Sequence, residues 1–213
     1  MRPFAKIFLT LLTGIPGILF AQNSERQPLQ EPEPVIQAMN MRAGVTNTIT
    51  ADFRQVKMMG FMDDSVKSSG KFYFKMEKQL RWEYLEPYKY AIIMDNMRFG
   101  IIDEGKSKEF DASSSKIFFE LSDILSGIVD GSLLKSNKFS ALWYEAADSY
   151  QVDLTPTNAN LKEFISMIVI LVNKVDYSVD GVKLIEASGD LTTIIFLNKK
   201  FNEDIPASTF TCQ

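Results

Sequence analysis

Between residues 49 and 101 large apolar and polar side chains take turns along the chain. In "TITADFRQVK", Ile49, Ala51 and Phe53 share one parity, and Thr50, Asp52 and Arg54 take the other. After "GFMDDSVKSSG", which reads as a hairpin-type connection, Phe72, Phe74 and Met76 alternate with Lys71, Tyr73 and Lys75. Leu80, Trp82 and Tyr84 then oppose Arg81 and Glu83, and Tyr90, Ile92 and Met94 continue the series. Phe99 and Ile101 follow the "DNM" turn. A period of two over consecutive short segments predicts an antiparallel meander with one bulky apolar face and one charged face.

The flanks follow other rhythms. After the polar, proline-bearing stretch 22–34, Ile36, Met39 and Ala43 fall at helical spacing before Gly44, which predicts a helix over about 35–44. Mid-chain, in "SSSKIFFELSDILSGIVDG", Ile117, Phe118, Leu121, Ile124, Leu125 and Ile128 occupy one helical face. Ser113–Ser115 can cap that helix and Gly131 can end it. Strands resume with "SYQVDLTP" and with "EFISMIVILVNKV", which is apolar on both faces and so expected inside a covered sheet. Asp180–Gly181 is the dipeptide that a tight hairpin prefers. "DLTTIIFLN" and a final "ASTFTC" complete ten or eleven strands and two helices.

The N-terminus changes the picture of where the protein works. Arg2 and Lys6 precede the apolar "IFLTLLTGIPGILF", and small Ala21 follows, the three-part pattern of a cleaved export signal. The apolar stretch is short for a membrane span, and Pro16 interrupts it. The expected organisation is a signal peptide at 1–21, a flexible lead-in at 22–34 and one domain at 35–213, working in the periplasm. Removing Arg2 and Lys6 leaves 21 basic against 27 acidic residues, a net charge of −6, which argues against a nucleic-acid groove. The single cysteine, Cys212, permits no intrachain disulfide.

Candidate chemistry is sparse. With no histidine in the chain, Ser-His-Asp and Cys-His catalysis and the commonest transition-metal ligand are excluded. "DYSVDG", residues 176–181, opens like a calcium loop, but the twelfth position is Ala187 where a bidentate carboxylate is needed. The carboxylate pairs Asp63–Asp64 and Asp103–Glu104 lie in turns, and Ser113–Ser115 have no visible base. No enzyme, cofactor or metal site is expected. The 16 phenylalanines and 10 methionines suit packing or an apolar ligand instead. A helix with one apolar face ordinarily covers its own core, so the pattern alone identifies no ligand.

The order of the pieces is more informative than any one of them. "ADFRQ" with Phe53 and Gln55, Gly70, "LRWEYLEP" ending at Pro87, "LTP" with "NLKEF", "EASGDLTTIIFLN" and Phe210 stand in one line over roughly residues 35–212. This chain thereby resembles the LolA-like family of periplasmic outer-membrane lipoprotein carriers. The resemblance implies an unclosed, strongly curved antiparallel β half-barrel whose concave face is covered by helices and receives acyl chains. Ile49, Phe53, Phe72, Phe74, Leu80, Trp82, Tyr84, Ile92, Met94, Phe99 and Ile101 would face that cavity. Ile117, Phe118, Leu121, Ile124, Leu125 and Ile128 would form the lid. The implied partners are acylated lipoproteins or other acyl lipids, an inner-membrane export complex and an outer-membrane receptor, with the carrier a monomer. Many family members have Arg-Pro where this chain has Met76–Glu77, and that arginine is thought to hold the lid. Here the nearest arginine is Arg81, which alternation turns away from Trp82.

Overall fold

The structure is a computed structural model that describes residues 26–60, 64–76, 79–95, 98–111, 124, 127 and 132–212. Twelve strands among them form one antiparallel sheet that does not close into a barrel. They are β1 (Gln27–Pro28), β2 (Thr48–Met58), β3 (Ser65–Lys75), β4 (Gln79–Glu86), β5 (Tyr90–Asp95) and β6 (Arg98–Asp103). The series continues with β7 (Lys106–Asp111), β8 (Phe139–Glu145), β9 (Ser149–Pro156), β10 (Ile165–Asn173), β11 (Val179–Glu186) and β12 (Leu191–Phe201). Their spatial order is β1-β8-β9-β10-β11-β12-β2-β3-β4-β5-β6-β7. Two meanders therefore meet where β12 pairs with β2, and β1 and β7 are the free edges.

Helix α1 (Glu33–Gly44) starts two residues earlier than the apolar spacing suggests. Pro34 suits its first turn, Glu33 sits at its positive end and Arg42 in its last turn. The short α2 (Ala159–Lys162) is capped by Asn158, whose side chain accepts from the Leu161 amide at 2.9 Å. Ile124 and Gly127 are also helical; the other residues expected on the mid-chain helix, Ile117, Phe118, Leu121, Leu125 and Ile128, lie outside the described residues.

Two hydrophobic clusters fill the fold. One gathers Val35 and Met39 of α1, Ile124, Leu133, and the inner side chains of β8–β11, with Val152 and Val172 wholly buried. The other lies on β2–β6. Phe196 of β12 packs against both and joins them. The expectation that "EFISMIVILVNKV" is covered on both faces holds, since Ile168, Val169 and Ile170 are all buried. Residues from Arg26 on are anchored to this sheet. Arg26 grips the buried Asp153 carboxylate with Nη1 at 3.0 and 2.9 Å, and Gln27 and Pro28 pair with β8.

Several expectations need correction. Twelve strands lie among the described residues, and β1, β7 and β8 are not among those expected because they carry weak alternation. Asp180 and Gly181 lie inside β11 rather than at its turn. The chain instead reverses through Lys174–Ser178, where the Asn173 side chain accepts from the amides of Val175 and Asp176, and Tyr177 takes a positive φ of 58°. Gly181 serves a close approach: a Cβ there would lie 2.7 Å from the Ile194 carbonyl. "ASTFTC" is no strand but a 3-10 turn, Ala207–Phe210. β3 ends at Lys75, so Met76 leaves the alternation and is exposed.

Candidate functional site

The ladder register sets β2–β6 so that their bulky positions stack in rows across the sheet. Ile49 stands opposite Phe74, Phe74 opposite Leu80, Leu80 opposite Met94, and Met94 opposite Phe99. A second row runs Ala51, Phe72, Trp82, Ile92, Ile101. Directly opposed residues project to the same face of a sheet. All eleven residues expected on the cavity side thus share one face and one cluster, and no strand is flipped. Eight of them are buried, and Ile49, Ile92 and Ile101 are partly so.

Aromatic rings dominate this face. Phe53 meets Trp82 at 5.0 Å and Tyr84 edge-on at 5.1 Å, and Phe72 meets Trp82 at 5.2 Å and Phe196 at 5.3 Å. Tyr84 stacks on Tyr90 at 4.2 Å. Burial, then the neighbouring Tyr90, pushes the Tyr84 hydroxyl far above the ordinary tyrosine range, and it donates to Gln55 Oε1 at 3.0 Å. It stays neutral. The Trp82 Nε1 is buried and has no hydrogen-bond partner among the described residues. An indole N–H left so in a greasy face is a donor without an acceptor, which costs stability and suits a ligand that carries a carbonyl.

At the junction of the two clusters this face opens into a cleft. Met39 and Arg42 of α1 roof it, Ile49, Ala51 and Phe72 floor it, and Phe196, Phe201, the turn residues Tyr177 and Ser178 and Val179 at the start of β11 wall it. Its empty space is about 630 Å³, part of it open to solvent. Of the expected cavity residues only Ile49 and Phe72 border the cleft itself; the other nine extend the apolar face beyond it. Ile124, the described member of the expected lid, packs in the other cluster with α1 and β8–β11.

Two features of the cleft have no counterpart in the sequence reading. Phe196 and Phe201 are five residues apart, so simple alternation puts them on opposite faces. A register shift between Leu197 and Lys200, with Asn198 at φ 52°, adds a residue to β12 and brings them to the same side. Phe196 then faces Phe53, and Phe201 faces Ile49. Arg42 was hidden because a basic residue in a last helical turn ordinarily just meets water and the helix dipole.

The outer face carries the charges. Asp52 and Lys71 lie 3.7 Å apart, and Arg81 pairs with Glu83 at 2.7 Å. Arg81 also donates to the Thr209 carbonyl at 3.4 Å, so it holds the C-terminal segment to the back of the sheet, away from Trp82. The "DYSVDG" carboxylates turn elsewhere: Asp176 accepts from Ser178, and Asp180 from Asn173 and Lys199. Among the described residues, no three of His, Cys, Asp and Glu come together as a metal site, and no helix is long and apolar enough to cross a membrane.

The family model described as "Outer membrane lipoprotein carrier protein LolA" matches residues 45–213. No curated protein matches the chain. Similar solved structures include a LolA superfamily protein from Nitrosomonas europaea, at 11% identity and a TM-score of 0.45, covering 84% of this chain and 96% of that one. The lipoprotein LppX of Mycobacterium tuberculosis is similar at 9% identity and a TM-score of 0.47, covering 81% and 96%. The complex of MucA and MucB from Pseudomonas aeruginosa is similar at 11% identity and a TM-score of 0.47, covering 84% and 60%. With the family model spanning most of its length, the chain belongs to the LolA family of outer-membrane lipoprotein carrier proteins.

Proposed function

We propose that this protein is an exported, soluble carrier that shields the acyl chains of lipoproteins on the apolar face of β2–β6 and moves them from the inner to the outer membrane. The observation that supports it is that face: eleven large apolar side chains in register, ending at an open cleft. Each buried methylene stabilises by about 0.8 kcal/mol, so a lipid anchor with dozens of them does not leave a bilayer unaided. A carrier must match that burial and still let go. Aromatic and methionine side chains do so, being large and tolerant of a loosely defined chain. The charged outer face keeps the empty carrier in solution. Binding and opening are the whole mechanism, with no covalent step, and the donor complex and the receptor are those that the family implies.

The test is release. The purified chain from Gln22 onward, added to spheroplasts of the source organism, is expected to bring outer-membrane lipoproteins into the soluble fraction as one-to-one complexes. Bound acyl lipid without lipoprotein release would instead favour a carrier or sensor of another lipid on the same fold. The absence of both release and bound lipid would defeat the carrier reading altogether.

A further inference from the structure

Arg42 is a cation whose hydrogen-bonding capacity is unspent. Its guanidinium lies over the Phe201 ring at 3.8 Å, and its Nε is buried without a hydrogen-bond partner. The nearest carboxylate, Asp176, is 3.7 Å from Nη2, an ion-pair distance too long for a hydrogen bond. Asp176 has its own partners, accepting from the Ser178 amide at 3.0 Å and the Ser178 hydroxyl at 2.7 Å. The second cation of the cleft, Lys199, is fully engaged by Ser178, the Val179 carbonyl and Asp180. Local structure holds Arg42 where it is: its carbonyl accepts from Thr46 Oγ1 at 2.7 Å, and the Asn202 side chain donates to the Val45 carbonyl at 2.9 Å. A buried guanidinium N–H normally has an acceptor, because leaving it bare costs the full desolvation of the group. Here the Nε–H lacks one, and Arg42 borders the cleft, from which a ligand oxygen would complete it.

We infer that Arg42 receives the anionic oxygens, carboxylate or phosphate, at the head of an acyl lipid whose chain lies along Ile49, Phe72 and Phe196. This rests on the reading of the apolar face as an acyl-chain site and concerns a free acyl lipid, the alternative cargo, since a lipoprotein's anchor carries esters and an amide but no anionic oxygen. The cleft's two cations face two carboxylates, Asp176 and Asp180, so net charge does not draw the ligand in. Selectivity comes from directed, charge-assisted hydrogen bonds, which are roughly twice as strong as neutral ones. A guanidinium held over an aromatic ring keeps its planar fork of donors for such a contact.

The experiment compares cis-parinaric acid, a fluorescent fatty acid, with its methyl ester at pH 8. The ester keeps the chain and the carbonyl but loses the charge. The protein is expected to bind the acid about tenfold more tightly than the ester. Arg42→Met is expected to bring that ratio to about one, and Arg42→Lys to restore part of it. Circular dichroism identifies any variant that fails to fold. Displacement of the bound acid by oleate or by lysophosphatidic acid tells a carboxylate head from a phosphate head. Displacement by inorganic phosphate alone would overturn the lipid assignment. Equal affinity for acid and ester in the unaltered protein would overturn the role of Arg42 and leave the apolar site standing. Binding of neither would overturn the acyl-chain reading itself.

Discussion

The ring of Phe53 lies over the bare Cα of Gly70, its partner across the β2–β3 ladder. A Cβ on Gly70 would come within 2.9 Å of Phe53 Cε1 and within 1.9 Å of the Glu83 carbonyl oxygen. The second contact is with backbone, at the bulge where β3 passes β4, and cannot be relieved by a rotamer change. Gly70→Ala is therefore expected to destabilise the fold by about 3 kcal/mol, the upper part of the range for overpacked sites. Urea unfolding should show a lower midpoint with an unchanged slope. An unaltered midpoint would mean that β3 and β4 are not held together as described.

How far that arrangement could be read in advance differs from strand to strand. β2–β4 have one face in the core and one largely in water, so each carries a clean period of two, whereas in β5 Ala91 and Ile93 are buried on the back as well. Ile49 through Ile101 could be assigned to a face without knowing their partners. β12 could not be read that way. Its sequence "TIIFLNKKF" is apolar at adjacent positions, and the extra residue near Asn198 changes phase in mid-strand. The β10–β11 turn misled for another reason. Asn173 provides a side-chain acceptor that closes a longer turn, which leaves Asp180–Gly181 to the strand. Arg42 had no visible signal, because its meaning depends on Phe201, which is 159 positions away in the chain.

Arg81 is expected to matter for the C-terminus and not for cargo. It faces away from Trp82, bonded to Glu83 and to the Thr209 carbonyl. Arg81→Leu should cost about 1 kcal/mol and speed amide hydrogen exchange around Phe210. Affinity for acyl ligands should stay the same. A weakened ligand affinity in this variant would show that the outer face takes part in binding.

Acid should loosen the mouth of the cleft through Asp176. Burial pushes its carboxyl up, but the Ser178 hydroxyl and amide, followed by the charges of Lys199 and Arg42, outweigh burial and leave it below its ordinary value of 3.8. A carboxyl lowered in the folded state adds stability above 3.8 and loses it as pH falls through the folded value. The side chain is more than a third exposed, so solvent screens the effect and it amounts to less than about 1 kcal/mol. Asp176→Ala should be the less stable protein at pH 7, and the difference from the parent should shrink as pH falls below 3.8 and disappear once it is below the lowered folded value. A difference that persisted there would assign the effect to packing rather than charge.

The two tryptophans can report where cargo lies, because each belongs to a different cluster. Trp82 sits among Phe53, Phe72 and Phe196 on the proposed acyl-chain face, whereas Trp143 of β8 packs with the β9–β10 core. A fatty acid brominated along its chain quenches an indole only by close approach. Trp143→Phe, which keeps Trp82 as the emitter, should lose most of its fluorescence on adding the brominated acid. Trp82→Phe, which keeps Trp143, should lose little. The reverse pattern would move the cargo to the space between α1 and β8–β11, where Ile124 packs, and the β2–β6 face would then be ordinary core. Trp82 is the more exacting probe for a second reason. A fatty acid held by its head at Arg42 brings no carbonyl to the unpartnered Trp82 Nε1, whereas a diacylglyceryl ligand brings an ester carbonyl part-way along, so that ligand should shift the emission to the red. A blue shift would mean that the chain reaches the ring without bringing any polar atom to the indole nitrogen.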